Sequence, residues 1–314
     1  MLVTAEETGQ VAVVDPAKGE VTATIKVGAR PRGLRLSHDG RRLFVAVGGP
    51  PKAASGAPAP SGEADAAGLA IVDVAGRKLM RKLRAGVAPF DVDLTPDGRT
   101  AFVSSNETNE VFAVNVASGA VKKKALDTGK LESVAIRPDG RVAYAIMSGV
   151  DEVYALDGRT LKPIRRIGVG PHPHAALFAP GDVAFVVAEW LPTLSIVDAK
   201  KHEEKARVGV ALPPATPPAG LQGAVASRDG QRLYVTTGRG RSVIVFDVAK
   251  KAVVGKIDGV GAFPRGIAIS ADGGKLYTAN GPSNDVAVID VASGKVEKRI
   301  KVPGAPWGVA VAGK

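Results

Sequence analysis

Short stretches of alternating apolar and polar residues return along the whole chain in one pattern. A Pro, a variable residue and a small residue precede the alternating positions, and an Asp-Gly turn follows eight residues after the Pro. The pattern is clearest in PRGLRLSHDG from Pro31, PFDVDLTPDG from Pro89 and PRGIAISADG from Pro264. Strict alternation predicts half-buried β-strands. Successive turn markers are separated by 58, 42, 42, 48, 43 and 42 residues, so the period is that of a propeller blade.

Three further strand signals lie between successive turn markers. A second strand reads RLFVAV, TAFVSS or RLYVTT, a third reads VAVVD, LAIVD or VAVID, and a fourth is a basic segment. Four short strands separated by turn residues make one blade of a propeller. The sequence therefore predicts an all-β fold, a single seven-bladed β-propeller with four antiparallel strands per blade, and one domain over residues 1–314.

The two ends of the chain predict how the ring closes. The chain starts with a second strand at Leu2 to Thr4 and ends with a first strand at Trp307 to Ala312. One C-terminal and three N-terminal strands should therefore form the last blade, since an open ring would expose two apolar faces.

Two inserts interrupt the period. Residues 48–68 contain no Leu, Ile, Val or aromatic residue, so we expect a mobile loop without a core of its own. Residues 211–220 are rich in Pro, and we expect a stiffer insert there.

Composition limits the possible chemistry and partners of the protein in three ways. Cysteine is absent, which excludes disulfides and thiol catalysis. The net charge of +11 is spread over the segments expected at outermost strands, where Lys blocks edge-to-edge pairing. The alternative is that these basic residues form a functional rim. Nucleic-acid binding by such a rim would weaken steeply as salt rises, and we do not expect it. No apolar stretch is long enough to span a membrane, and we expect a monomer.

Candidate binding residues lie where the channel of a propeller opens. The loops that enter first strands and the loops between second and third strands open on the same face, so the variable residues after each Pro should form a ring there. Their differing chemistry indicates adaptation to an asymmetric ligand, with arginines for a carboxylate or phosphate and aromatic rings for stacking. A merely solvated mouth is the alternative. The predicted ligand-binding residues are Arg32, Phe90, Glu132, His172, His174, Glu189, Gln222, Arg239, Arg265 and Trp307.

The PHPH segment is the sharpest local feature. His172 and His174 are two residues apart, so an extended chain would place both imidazoles on one side, where Glu132 or Glu189 could complete a metal site. The flanking prolines weaken regular strand geometry, and ligand hydrogen bonding or a structural loop are the alternatives. No Gly-rich phosphate loop, GxSxG, HExxH or paired-Cys motif occurs. We therefore predict no cofactor and no metal.

The second strands LVTAEE, FVSSNE, YVTTGR and YTANGP resemble those of the YVTN-type β-propeller repeat proteins. The opening and close of the chain are also similar to a subgroup associated with pyrroloquinoline-quinone-dependent catabolism. This resemblance implies a periplasmic or secreted propeller that binds a ligand or partner. The N-terminus MLVTAEETGQ lacks the features of a secretion signal, so either a leader has been removed or the protein is cytoplasmic.

Two functions follow from these observations. The first hypothesis is a non-catalytic exported propeller that binds a small anionic or planar ligand, or a protein partner, at the channel mouth. The alternative is a metal-assisted lactonase or lyase that uses His174, Glu132 and Glu189 at the same mouth.

Overall fold

The computed structural model describes residues 1–50, 67–127, 129–211 and 220–312. Within these ranges the chain forms seven four-stranded antiparallel sheets, which confirms the predicted seven-bladed β-propeller. The predictions for the inserts at 48–68 and 211–220 concern mainly residues 51–66 and 212–219, which lie outside the described residues.

The strands are numbered in chain order and grouped by blade. Blade 1 comprises β1 (Leu2–Ala5), β2 (Gln10–Asp15), β3 (Glu20–Lys26) and β28 (Pro306–Ala310). Blade 2 comprises β4 (Pro31–Leu36), β5 (Arg42–Val47), β6 (Gly68–Asp73) and β7 (Lys78–Leu83). Blade 3 comprises β8 (Pro89–Leu94), β9 (Thr100–Ser105), β10 (Glu110–Asn115) and β11 (Val121–Ala125). Blade 4 comprises β12 (Leu131–Ile136), β13 (Val142–Met147), β14 (Glu152–Asp157) and β15 (Pro163–Gly168).

The remaining three blades follow the same order. Blade 5 comprises β16 (Pro173–Ala179), β17 (Val183–Ala188), β18 (Thr193–Asp198) and β19 (Glu203–Gly209). Blade 6 comprises β20 (Ala224–Ala226), β21 (Arg232–Thr236), β22 (Ser242–Asp247) and β23 (Ala252–Asp258). Blade 7 comprises β24 (Pro264–Ile269), β25 (Lys275–Asn280), β26 (Asp285–Asp290) and β27 (Lys295–Lys301). Short 3₁₀ turns at Gly238–Gly240 and Gly281–Ser283 follow the second strands of blades 6 and 7.

The ends of the chain close the ring as predicted. Strand β28 pairs with β1 so that Leu2 lies opposite Ala310 and Val3 lies opposite Val309. The amide of Glu6 also donates to the carbonyl of Ala305 at 3.2 Å. Closure thus pairs the edge of β1 that would otherwise be open.

The core lies between the blades. Because side chains alternate between the faces of each strand, every sheet packs apolar residues against both neighbours. Between blades 2 and 3, for example, Phe44 and Ile71 pack in one cluster with Val103 and Phe112. No helix among the described residues is long and apolar enough to cross a membrane.

Candidate functional site: the channel mouth

The first strands of the blades surround a central channel. A cavity of about 210 Å³ lies in it, and its lining includes Phe90, His174, Gln222, Arg265 and Trp307. This volume is below the roughly 300–1,000 Å³ of typical ligand pockets, so the cavity suits only a small ligand. Five of the seven residues predicted for the ring therefore line one cavity. Of the other two, Arg32 contacts the rings of Phe90 and Trp307, and Glu132 acts on His174 through its charge.

Hydroxyl groups of neighbouring strands hold the backbone of four ring residues in place. They donate to carbonyl oxygens across the blade boundary, and each donor side chain is fully or nearly buried. The four bonds are Thr4 Oγ1 to Arg32 at 2.7 Å, Ser104 Oγ to Glu132 at 3.1 Å, Ser133 Oγ to His174 at 2.9 Å and Thr236 Oγ1 to Arg265 at 2.7 Å. These bonds fix the positions from which the ring side chains extend.

Two guanidinium groups pack on one indole at the mouth. The Cζ of Arg265 lies 3.7 Å from the ring centroid of Trp307, and the Cζ of Arg32 lies 4.8 Å from it. Arg32 also lies 4.9 Å from the ring of Phe90, and Arg265 lies 4.6 Å from that of Phe263. Aromatic faces attract cations, so this cluster orients both arginines.

The two arginines differ in their anionic partners. Arg32 forms an ion pair with Glu6, with 2.7 Å between Nη2 and Oε1. The Arg265 guanidinium makes no hydrogen bond or ion pair with any residue that the structure describes. Burial lowers the pKa of Arg265 to about 10, so the group is still cationic at neutral pH. Arg265 is therefore a positive charge at the cavity available to an anionic group.

Glu132 lies almost completely buried beside the cavity. Its carboxylate accepts from Lys130 Nζ at 2.8 Å and from Ser148 Oγ at 3.1 Å. Burial by itself would raise the pKa of Glu132, but His174, Lys130 and Ser148 together hold it below its usual value. Glu132 is therefore ionised, and its negative charge acts on His174.

His174 has the geometry of a neutral proton acceptor. Its Nδ1 lies 3.2 Å from the carbonyl oxygen of Gln222. A carbonyl only accepts, so Nδ1 carries the proton and Nε2 keeps its lone pair. Burial lowers the pKa of His174, against the opposing effect of the Glu132 and Glu189 carboxylates. The imidazole is thus neutral at neutral pH, and Nε2 is its proton-accepting atom.

His172 has different partners. It adopts a left-handed backbone conformation, with φ of 54°, rather than the extended one considered from the PHPH spacing. Its ring stacks on that of Trp190 with 4.5 Å between centroids, and its Nδ1 lies 3.3 Å from Glu189 Oε2. Arg239 Nη1 lies 3.6 Å from Glu189 Oε1. His172, Glu189 and Arg239 therefore form a separate cluster at the rim of the mouth.

A metal site would need several ligating side chains to converge. Among the described residues, no group of three or more His, Cys, Asp and Glu side chains is arranged to hold a metal ion. The donor set suggested by His172, His174, Glu132 and Glu189 therefore does not fit a metal.

Two residues at the channel mouth, Phe263 and Asp91, were not predicted from the sequence as part of the site. Phe263 precedes Pro264 in a left-handed conformation, with φ of 51°, and its ring contacts Arg265 and Arg239. Asp91 lines the cavity, and burial raises its pKa to about 7. The available signal for Asp91 was a carboxylate at the position after the variable residue, where most blades have a small residue.

Comparisons with known proteins support the propeller fold and identify the family to which the chain is similar. The family model described as "Lactonase, 7-bladed beta-propeller" matches residues 10–312. The periplasmic gluconolactonase of Pseudomonas aeruginosa is 22% identical, with a TM-score of 0.76 over 98% of this chain and 96% of that chain. A putative 6-phosphogluconolactonase from Bacteroides fragilis is 18% identical, with a TM-score of 0.77 over 98% and 96%.

A third similar structure has a different described role. Hydrazine synthase of Kuenenia stuttgartiensis is 19% identical, with a TM-score of 0.77 over 93% of this chain and 92% of that chain. Likeness at this level of identity shows the fold alone. No curated protein sequence matches the chain significantly.

The family match corrects the first functional hypothesis. We predicted a non-catalytic propeller, more a ligand-binding or protein-interaction module than an enzyme, and the lactonase match shows that this prediction is wrong. The repeats that dominate the sequence specify the scaffold, whereas the residues that would carry chemistry occur once each and form no motif. The enzymatic alternative agrees better with the match.

Proposed function

Because the chain belongs to the family of seven-bladed β-propeller lactonases, we propose that it hydrolyses a small lactone at the channel mouth. The observation that supports this most is the pairing of a neutral His174 with an unpaired Arg265 in one cavity. Lactone hydrolysis needs a base for the attacking water and a positive group for the developing oxyanion.

The proposed reaction uses side chains alone. His174 Nε2 accepts a proton from water as the water oxygen attacks the lactone carbonyl. Arg265 stabilises the negative oxygen of the tetrahedral intermediate. When the intermediate collapses, the ring C–O bond breaks, and the leaving alkoxide takes the proton from the imidazolium. The product is a hydroxy acid that releases its carboxylic proton to the solvent, and the resulting carboxylate stays beside Arg265.

Glu132 and the aromatic cluster support this chemistry. The ionised Glu132 stabilises the imidazolium that forms during the reaction, since its charge favours the protonated form of His174. Trp307 and Phe90 supply an apolar wall for the lactone ring and exclude water from part of the cavity. The proposed reaction involves no metal, because the donor set of the described residues does not fit one.

A panel of γ- and δ-lactones, followed by acid release in weakly buffered solution, tests the proposal. We expect His174→Ala to lower kcat by about 100-fold or more, which is the contribution of a general base. His38→Ala is the matched control, because His38 is exposed at the Asp-Gly turn of blade 2, away from the cavity. Since burial lowers the pKa of His174, the acid limb of kcat/KM should lie below the usual imidazole range.

Arg265 variants separate charge from packing. Arg265→Ala should reduce kcat by about 10²–10³-fold, as loss of an oxyanion-stabilising donor does. Arg265→Lys should recover part of this loss because it keeps the positive charge. A complete absence of turnover across the panel would refute the lactonase, and an active His174→Ala would refute the role of His174.

Other expectations stay predictions from the sequence. These are the YVTN-type label, the link to pyrroloquinoline-quinone-dependent catabolism, location outside the cytoplasm, and a monomeric state. The predicted anionic or planar ligand becomes, in this proposal, the lactone and its carboxylate product.

A further inference from the structure

The outer strands of blades 2, 3 and 4 share a composition that the other outer strands lack. Strands β7, β11 and β15 carry eight Lys and Arg residues and no Asp or Glu. Each of β3, β19, β23 and β27 contains at least one acidic residue. Protection of sheet edges by Lys applies equally to all seven blades, so it does not explain why three consecutive ones are purely basic.

The three strands form one continuous surface, which we call the basic flank (β7, β11 and β15). Arg81 Nη1 on β7 donates to the carbonyl of Ala117 in blade 3 at 3.2 Å. Lys122 Nζ on β11 donates to the carbonyl of Arg159 in blade 4 at 3.3 Å. These bonds cross both blade boundaries and use neutral acceptors, so they join the blades without cancelling the charge.

Carboxylates next to the flank neutralise only part of it. Lys123 pairs with Glu110 at 2.7 Å and Arg165 with Glu203 at 3.0 Å, and Arg166 pairs with Glu152 at 2.7 Å and Asp127 at 3.3 Å. All these pairs are partly exposed, so they are weak and leave the cations accessible. The flank therefore keeps a net positive charge.

Large apolar side chains stand exposed among these cations. Met80 is 56% exposed, Ile164 is 49% exposed, Val121 is 42% exposed and Leu79 is 38% exposed. All four lie on the basic flank, and it carries no aromatic residue for stacking on bases. A surface that combines cations with projecting aliphatic groups suits an anionic lipid bilayer, where Lys and Arg meet the headgroups and apolar groups enter the interface.

We propose that the basic flank docks the propeller on an anionic membrane surface. Docking through the side of the ring leaves the channel mouth open, because the flank lies on the outermost strands and the mouth lies at the innermost ones. The proposal is independent of the lactonase assignment.

Flotation of the full chain with lipid vesicles tests the proposal. We expect binding to vesicles of phosphatidylcholine mixed with phosphatidylglycerol, little binding to phosphatidylcholine alone, and weaker binding as salt rises. The double variant Lys78→Gln with Lys124→Gln should weaken binding roughly tenfold or more. Met80→Ser with Ile164→Ser should weaken binding even at low salt, since it removes the inserted groups.

A matched variant on the opposite side separates a specific flank from total charge. Lys295→Gln with Lys301→Gln removes the same charge from β27, and it should leave vesicle binding within about twofold of the wild type. An equal loss in the β27 variant overturns the proposal, as does the absence of binding to anionic vesicles. Binding of the protein to duplex DNA, without binding to anionic vesicles, overturns the proposal in favour of a nucleic-acid partner. Unchanged melting temperatures show that the variants are folded.

Discussion

The hydrogen bonds by which buried hydroxyl groups hold the ring residues can be tested at Thr236. This side chain is completely buried; its Oγ1 donates to the carbonyl of Arg265 at 2.7 Å and accepts from the amide of Gly223 at 2.9 Å. Thr236→Val keeps the shape of the side chain but leaves both backbone groups without this partner. A buried polar group left unpaired costs about 1–3 kcal/mol. We therefore expect the free energy of unfolding to fall by about 2–4 kcal/mol.

Thr278 provides the control within the same protein. It lies on the second strand of the next blade and is also completely buried, but its hydroxyl has no hydrogen-bond partner among the described residues. Thr278→Val removes an unsatisfied polar group, so it should leave the free energy of unfolding unchanged or raise it. Equilibrium unfolding in urea measures both variants, and unchanged m-values would show that the folded and unfolded states are comparable. Equal destabilisation by the two substitutions would refute the reasoning.

Two further predictions concern the channel and the closure of the ring. Asp91 has a folded-state pKa of about 7 against a reference value of 3.8, so its neutral form is favoured by folding and its contribution to stability declines as pH rises from about 4 to 7. Asp91→Asn should lack this decline and gain up to about 4 kcal/mol relative to the wild type by pH 8; parallel stability-pH curves would contradict it. Deleting residues 307–314 removes most of β28, unpairs the edge of β1 and exposes apolar faces. Thermal unfolding should therefore occur at a much lower temperature. An unchanged melting temperature would exclude closure of the ring as a source of stability.

Much of the scaffold was determined by the sequence itself. The alternation of apolar residues and the recurring Asp-Gly turns are local signals, because a strand and its turn are set by residues close together in the chain. The incomplete repeats at the two ends also predicted the pairing of β28 with β1, which the structure shows. The position of the ring residues followed from the same repeat, since equivalent residues occupy equivalent places in every blade.

Tertiary structure decided which of these residues are free to act. Arg32 and Arg265 occupy equivalent sequence positions, but only Arg32 forms an ion pair with a carboxylate, that of Glu6, in the described structure. Phe263 joins the mouth through the left-handed conformation before Pro264, and burial makes Asp91 a weaker acid. The partners, burial and electrostatic environment of a side chain at the mouth depend on residues from other blades. The periodic pattern specifies each blade separately, so it does not show which side chains of neighbouring blades will contact it.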